Sequence, residues 1–234
     1  MYNGIINVYK ETGFTSHDVV AKLRGILKQK KIGHTGTLDP DATGVLPVCL
    51  GNATKLCDML TDKSKEYRAE MLLGTATDTE DISGKVIETK EVNVIEDEIR
   101  NIVMSFVGEY EQIPPMYSAL KVNGQKLCDL AREGIVIERK PRSVSIISIE
   151  ILAVNLPKVE MLIHCSKGTY IRTLCDDIGK KLGCYGCMKS LLRTKVDKFL
   201  LENTYTLSEL QKLADCPREE WTFLESVDSV FEKY

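Results

Sequence analysis

Apolar positions along the chain switch between two periods, and the switches mark out the elements. Gly4-Ile5-Ile6-Asn7-Val8-Tyr9 reads as a strand and Thr12-Gly13-Phe14-Thr15 as a turn. Ser16 is then expected to cap a helix with Asp18 in its first turn. Val19, Val20, Leu23, Ile26 and Leu27 fall on one face of that helix. Val45 to Leu50 is a short buried strand, and a helix from Asn52 carries Leu56, Met59 and Leu60. Tyr67 to Leu73 and Val86-Ile87 read as strands on either side of an acidic polar loop, Gly74 to Asp81. Glu96, Asp97 and Glu98 suit a helix start, where the dipole favours them, and Ile99, Ile102, Val103 and Phe106 supply its apolar face. Pro114-Pro115 bars a helix and opens an ordered loop leading into a strand near Lys121. A short helix from Lys126 to Arg132 ends at Gly134, and Val144–Val154 and Val159–Cys165 are strands joined by a turn at Leu156-Pro157. Beyond residue 203, helical segments at Leu207–Leu213 and Ser226–Phe231 are expected to leave the main body. Strands and helices mix without regular alternation or repeat, which predicts an α/β (α+β) domain on a mixed, largely antiparallel sheet flanked by helices.

Between the first helix and the Val45 strand lies Lys31-Ile-Gly-His-Thr-Gly-Thr-Leu-Asp-Pro-Asp-Ala-Thr-Gly-Val-Leu-Pro47. Pro40 keeps Asp39 out of the helical region, and Gly36 and Gly44 permit tight backbone on both sides. Such a loop holds one carboxylate in one place. Taken alone, such a loop is read first as a structural turn in which Asp39 caps backbone amides, and only second as a site.

The chain has 234 residues, of which 43% are hydrophobic and 28% charged, enough for a sizeable core. No stretch approaches the roughly 18 uninterrupted apolar residues a membrane span needs, and the N-terminus opens directly on a strand, so a cytoplasmic protein is expected. Its eight cysteines then read as reduced thiols. The net charge of −3 is unevenly spread: from Glu202 onward eight acids and three bases give −5, leaving +2 for residues 1–201. Four basic clusters (Lys28/Lys30/Lys31, Lys63/Lys65/Arg68, Arg139/Lys140/Arg142 and Lys189/Arg193/Lys195/Lys198) flank the candidate segments and suggest a phosphate-rich ligand.

A second conspicuous segment, Ser166-Lys-Gly-Thr-Tyr-Ile-Arg-Thr-Leu-Cys-Asp-Asp-Ile-Gly179, follows a strand and opens a helix with Ile171, Leu174, Cys175, Ile178 and Leu182 as its stripe. With Thr169 as the N-cap, a capping box would place Glu or Gln at position 172, where this chain has Arg172. A cation in the first turn opposes the dipole by a few tenths of a kcal/mol. Arg172 is therefore either an exposed side chain or one with an acidic partner, a carboxylate or a phosphate.

These residues in order and spacing resemble the TruB-type tRNA pseudouridine synthases. The blocks are Gly33-His-Thr-Gly-Thr-Leu-Asp-Pro-Asp-Ala-Thr-Gly44, Lys65-Glu-Tyr-Arg-Ala69, Thr77-Asp-Thr-Glu-Asp81 with Gly84, Pro114-Pro-Met-Tyr-Ser-Ala-Leu-Lys121 and Cys165-Ser-Lys-Gly-Thr-Tyr-Ile-Arg172. The resemblance covers nearly all of residues 3–200. It implies the pseudouridine synthase fold and isomerisation of uridine 55 in the tRNA T-arm on a flipped-out base, without metal or cofactor. By the same resemblance Asp39 is the catalytic aspartate, Arg172 the arginine that pairs with it, Tyr67 the tyrosine that stacks on uracil, and Tyr170 a pocket tyrosine. His34 supports the everted conformation. Lys10, Thr37, Lys31, Lys121 and Arg142 are expected on the substrate or RNA side, with an RNA-binding segment near 119–142. The family has proline where this chain has Glu11, and tyrosine where it has Cys128. The resemblance makes residues 1–202 the catalytic domain and 203–234 an extension toward an absent or truncated PUA domain. The implied protein is monomeric, and its partner is the T-arm stem-loop.

Two other readings compete. An RNA-folding protein could use the same scaffold without chemistry, although the complete set Asp39, Tyr67, Tyr170 and Arg172 argues for catalysis. A P-loop enzyme would need a Gly-Lys-Ser/Thr ending that the Gly33–Gly44 loop lacks. Cys184-Tyr-Gly-Cys187 offers only half of a zinc set, with His164 and Cys165 as the other pair in reach, and reads as buried thiols.

Overall fold

Thr15, not Ser16, caps the first helix in the computed structural model, which describes residues 2–217 and 221–231. The Thr15 hydroxyl accepts from the Asp18 amide at 3.1 Å and the Asp18 carboxylate accepts from the Thr15 amide at 2.8 Å, a reciprocal capping box. Ser16 is thereby freed to face inward, where its hydroxyl accepts from the Leu38 amide at 3.0 Å.

In chain order the first elements are β1 (Gly4–Lys10), α1 (Ser16–Ile26), β2 (Ile32–His34), β3 (Thr43–Leu50), a 3-10 segment (Gly51–Leu56), α2 (Cys57–Thr61) and β4 (Lys65–Leu73). There follow β5 (Thr75–Thr77), β6 (Val86–Thr89), α3 (Glu96–Met104), β7 (Gly108–Gln112), β8 (Lys121–Val122), β9 (Gln125–Lys126) and α4 (Leu127–Arg132). The chain continues through β10 (Arg142–Asn155), β11 (Lys158–Cys165), α5 (Ile171–Lys181), β12 (Gly186–Val196), β13 (Phe199–Leu200), α6 (Leu207–Ala214), β14 (Leu224–Glu225) and α7 (Val227–Phe231). The fold is α/β, with a large mixed, mainly antiparallel sheet and flanking helices, as the sequence pattern implies. Among the described residues no helix is long and apolar enough to cross a membrane.

The chain forms two compact units, Met1–Tyr67 with Leu191–Tyr234, and Arg68–Ser190. In the first, β1 pairs antiparallel with β3 (Ile6 opposite Val48), β2 joins β3 from Ile32 to His34, and β14 adds to β1. β12 runs parallel to β3, placing Arg193 opposite Gly44. One face of this sheet buries Ile6, Val8, Leu46 and Val48 against Val19, Val20 and Leu23 of α1. Leu207, Leu210 and Phe223 complete that core. The segment expected to leave the body therefore packs back onto it, because α6 carries its own apolar stripe and a Thr206/Glu209 capping box. In the second unit β10 lies between β7 and β11, both antiparallel. Met161, Ile163 and Ile149 are buried on these strands, as are Leu174 and Ile178 of α5. The close approach of Gly179 to residues 185–186 fixes where α5 ends: a Cβ there would lie 2.2 Å from the Gly186 nitrogen.

Leu210 is fully buried, so Leu210→Ala is expected to destabilise the fold by about 2–5 kcal/mol. Denaturant unfolding measures this, and a loss under about 0.5 kcal/mol would show that α6 does not belong to the core.

Candidate active site

The loop between β2 and β3 is pinned at several points. Pro40's carbonyl accepts from the Gly13 amide and from Lys10 Nζ, each at 3.0 Å. The Leu38 amide is held by Ser16, and the Thr35 amide and hydroxyl both donate to the Pro47 carbonyl at 3.1 Å. The Ala42 amide closes a turn onto the Asp39 carbonyl at 3.1 Å. Gly44 (φ +107°) crosses so close to β12 that a Cβ would sit 2.2 Å from the Arg193 carbonyl oxygen. With its neighbours fixed in this way, Asp39 stands half-buried at the tip.

Two buried cations belong to the same unit, and one of them, Lys10, interacts with Asp39. Arg193 is 1% exposed; its Nε donates to the Val45 carbonyl at 2.7 Å and its Nη1 reaches the Thr37 carbonyl at 3.5 Å. Burial pulls this guanidinium below the usual arginine range, and the Tyr67 hydroxyl beside it works in the opposite direction. Lys10 is fully buried and also donates to the Glu11 carbonyl at 3.0 Å. Burial lowers the Lys10 ammonium to about 8, against the attraction of Asp39 and Asp41 and with the repulsion of Arg193. The attraction is mutual, so the same cation stabilises negative charge on Asp39. Tyr67 is buried, whereas His34 is half-buried and held below its usual range by desolvation, then by His17, whose ring meets it edge-on at 5.1 Å.

In the second unit the N-cap of α5 is Tyr170, not Thr169, so Arg172 is the second helical residue and there is no capping-box position for it to occupy. Its side chain is buried, and Nη1 meets the Asp81 carboxylate at 3.4 Å and the Thr79 carbonyl at 3.2 Å while Nη2 donates to the Tyr117 carbonyl at 3.0 Å. The acidic partner inferred from the helix dipole is thus present as Asp81. Gln112 fixes Tyr170 through both of its amide atoms, accepting from the Tyr170 amide at 2.8 Å and donating to its carbonyl at 3.0 Å. Nearby, burial pushes the Glu80 carboxyl up to about 7, and the Thr173 hydroxyl bonds it at 2.5 Å.

Of the expected residues, Lys10, His34, Thr37, Asp39 and Tyr67 belong to the first unit with Lys31, while Tyr170, Arg172, Lys121 and Arg142 belong to the second. Lys31, Thr37, Lys121 and Arg142 are exposed. The basic clusters are less uniform than their spacing suggests. Lys65 is buried and bonds the Thr61 and Lys63 carbonyls, Lys189 pairs with Glu70 at 2.5 Å, and Arg193 is internal. Arg193 is the residue that charge counting misplaced. Its signal was its setting inside the β-branched and leucine-rich run Leu191 to Val196, which reads as a buried strand. Cys184 and Cys187 are buried, and desolvation raises both thiols, Cys187 to about 11.

Comparison with known proteins gives a consistent answer. Residues 24–171 match the model of the TruB family pseudouridylate synthase N-terminal domain, and 172–231 that of the tRNA pseudouridylate synthase B C-terminal domain. A tRNA pseudouridine synthase B from Lachnoclostridium phytofermentans is 63% identical over 218 residues, covering 90% of this chain and 71% of that protein. Its namesake from Alkaliphilus oremlandii is 56% identical, with the same coverage. Among solved structures, a Cbf5-Nop10-Gar1 complex superposes with a TM-score of 0.72 at 35% identity, covering 90% of this chain and 54% of the solved one. An H/ACA RNP bound to a substrate RNA containing 2′-deoxyuridine gives 0.74 at 29% identity, covering 98% and 61%.

The buried Lys10 supplies a pH test. Its folded-state value of about 8 lies below the ordinary lysine value of 10.5, so across that window the unfolded chain carries the extra proton. Stability from this group therefore rises as pH climbs from about 8 toward 10.5. Lys10→Met should flatten that rise relative to wild type in unfolding midpoints at graded pH; identical slopes would show that Lys10 titrates normally.

Proposed function

Because the chain belongs to the TruB family of pseudouridylate synthases and is a tRNA pseudouridine synthase, we propose that its target is uridine 55 of the T-arm and that Asp39 is its nucleophile. The observation that carries this is the Asp39 loop itself. Its backbone is tied down at Thr35, Leu38, Pro40 and Ala42, and the buried Lys10 ammonium attracts the carboxylate. A fixed, charged carboxylate is what attack on a sugar or a pyrimidine requires, and fixing it in advance removes reorganisation from the barrier.

The isomerisation breaks the bond from ribose C1′ to uracil N1 and forms one from C1′ to C5. C5 loses its proton and N1 gains one, so atoms balance without an oxidant or reductant. Asp39 attacks either C1′ or uracil C6. Tyr67, buried against the Arg193 guanidinium, offers a ring for the uracil to stack on and a phenol for the proton exchange. Tyr170 lines the base pocket, and Arg172, anchored by Asp81, supplies positive charge to the reaction. A base paired or stacked in the arm is out of reach, so the uridine is flipped, with His34 at the loop's base supporting the everted RNA. Exposed Lys31, Lys121 and Arg142 contact phosphates, positioning a folded RNA by its shape and backbone.

A T-arm stem-loop carrying tritium at uracil C5 reports the reaction directly. Wild type should release the label and Asp39→Asn should not, a loss on the order of 10³-fold or more in single-turnover rate. Release at the wild-type rate by the variant would remove Asp39 from the chemistry.

A further inference from the structure

The first unit contains a cavity of about 490 Å³ that the reading so far does not use. It lies outside the Asp39 loop, between the later turns of α1, the approach to β2 and the 3-10 segment, and its rim includes His17, Arg24, Lys30, Lys31 and His34. No carboxylate lines it. Three permanent cations and two imidazoles around one opening, with no acid among them, make a strongly positive concavity.

The cavity is also built. Arg24 Nε donates to the Lys30 carbonyl at 3.0 Å and its Nη2 to the Ile32 carbonyl at 3.3 Å, which fixes the guanidinium against the wall. His34 Nδ1 is buried with no hydrogen-bond partner, while the ring also meets the Gly36 backbone and lines the cavity wall. The His34 imidazole is held below its ordinary range by desolvation and then by the neighbouring His17, which lines the same cavity. At Gly33, another wall residue, an added Cβ would come within 3.2 Å of Cys57 Sγ, so the wall there is tightly packed.

From this arrangement we infer that the cavity is a phosphate-binding site that captures a backbone phosphodiester of the RNA substrate, with Arg24, Lys30 and His17 as ligands alongside Lys31 and His34. The inference rests on the tRNA reading and adds three residues to it. Lys31 and His34 lead from the cavity directly into the catalytic loop, eight and five residues ahead of Asp39 in sequence. A phosphate held here would fix the register of the strand entering the site, and no base would be read.

The test measures the dissociation constant of a T-arm stem-loop by fluorescence anisotropy across a salt series, for wild type, Lys30→Ala, Arg24→Gln and a control, Lys90→Ala, on the other unit. The slope of log K against log salt should fall by about 1 for Lys30→Ala and for Arg24→Gln, with roughly tenfold weaker binding at low salt, and stay unchanged for Lys90→Ala. In parallel, the His17 and His34 proton resonances are followed as inorganic phosphate is added; both should move, with His164 of the other unit as internal reference. An unchanged slope in Lys30→Ala, whose side chain is exposed, overturns the inference, as does an equal fall in the control. If inorganic phosphate moves His17 and His34 while both variants keep the wild-type slope, the cavity holds free phosphate and the RNA assignment is wrong. A wild-type protein that neither binds the stem-loop nor releases tritium from it would instead remove the T-arm reading itself.

Discussion

The Arg193 guanidinium is the constraint around which the first unit is arranged. Moving an arginine out of water costs several kcal/mol even after relaxation, so a fully buried one needs its donors met. Here the Val45 carbonyl accepts from Nε at 2.7 Å, the Thr37 carbonyl is reached by Nη1 and the Tyr67 hydroxyl lies beside the group, while Nη2 is buried without a hydrogen-bond partner. Each partner belongs to a different part of the site: β3, the loop that carries Asp39, and the buried tyrosine. The residue that makes these contacts is itself fixed by the parallel pairing of β12 with β3 at Gly44, where only a glycine leaves room for the Arg193 backbone. One guanidinium therefore ties strand register, loop conformation and local charge together.

Charge of one sign accumulates as a result. Lys10 is driven toward its neutral form by burial and by Arg193, and is kept charged near neutral pH by the attraction of Asp39 and Asp41. The second unit solves a similar problem differently. The buried Arg172 meets the Asp81 carboxylate, in the acidic loop after β5, and the Thr79 and Tyr117 carbonyls. One buried guanidinium is met mainly by backbone carbonyls and the other partly by an ion pair, so each unit holds a fixed positive charge in its interior.

Most of the architecture was legible in the sequence because the elements have strong local signals. Val19 to Leu27 at helical spacing, the alternation in Tyr67 to Leu73 and the cap-and-stripe pattern at Leu207 leave little choice of period. What escaped was set by distant partners. Whether Thr15 or Ser16 caps α1 depends on Leu38, which takes the Ser16 hydroxyl from 22 residues away. Residue by residue the Asp39 loop read first as a structural turn, the family resemblance reversed that reading, and the contacts of Lys10, Ser16 and Thr35 that hold its backbone come from partners the local sequence does not reveal. Arg193 was counted with its basic neighbours, since a charge tally cannot see that alternate residues of a strand face opposite ways. The same tally could not separate Lys65 and Lys189, which are engaged within the protein, from Lys30 and Lys31, which stand at an open cavity.

The central claim is that the geometry of one buried guanidinium, beyond its charge, holds the nucleophile's loop in working order. Arg193→Lys separates the two, because lysine keeps the charge and loses the planar fork that reaches two carbonyls at once. The direct measurement is the single-turnover rate of tritium release from T-arm RNA by this variant, with RNA affinity and circular dichroism recorded on the same sample. The account predicts a folded protein that binds RNA within a few-fold of wild type and reacts about 100-fold more slowly, as a displaced reacting group should. A folded variant that reacts at the wild-type rate would contradict it.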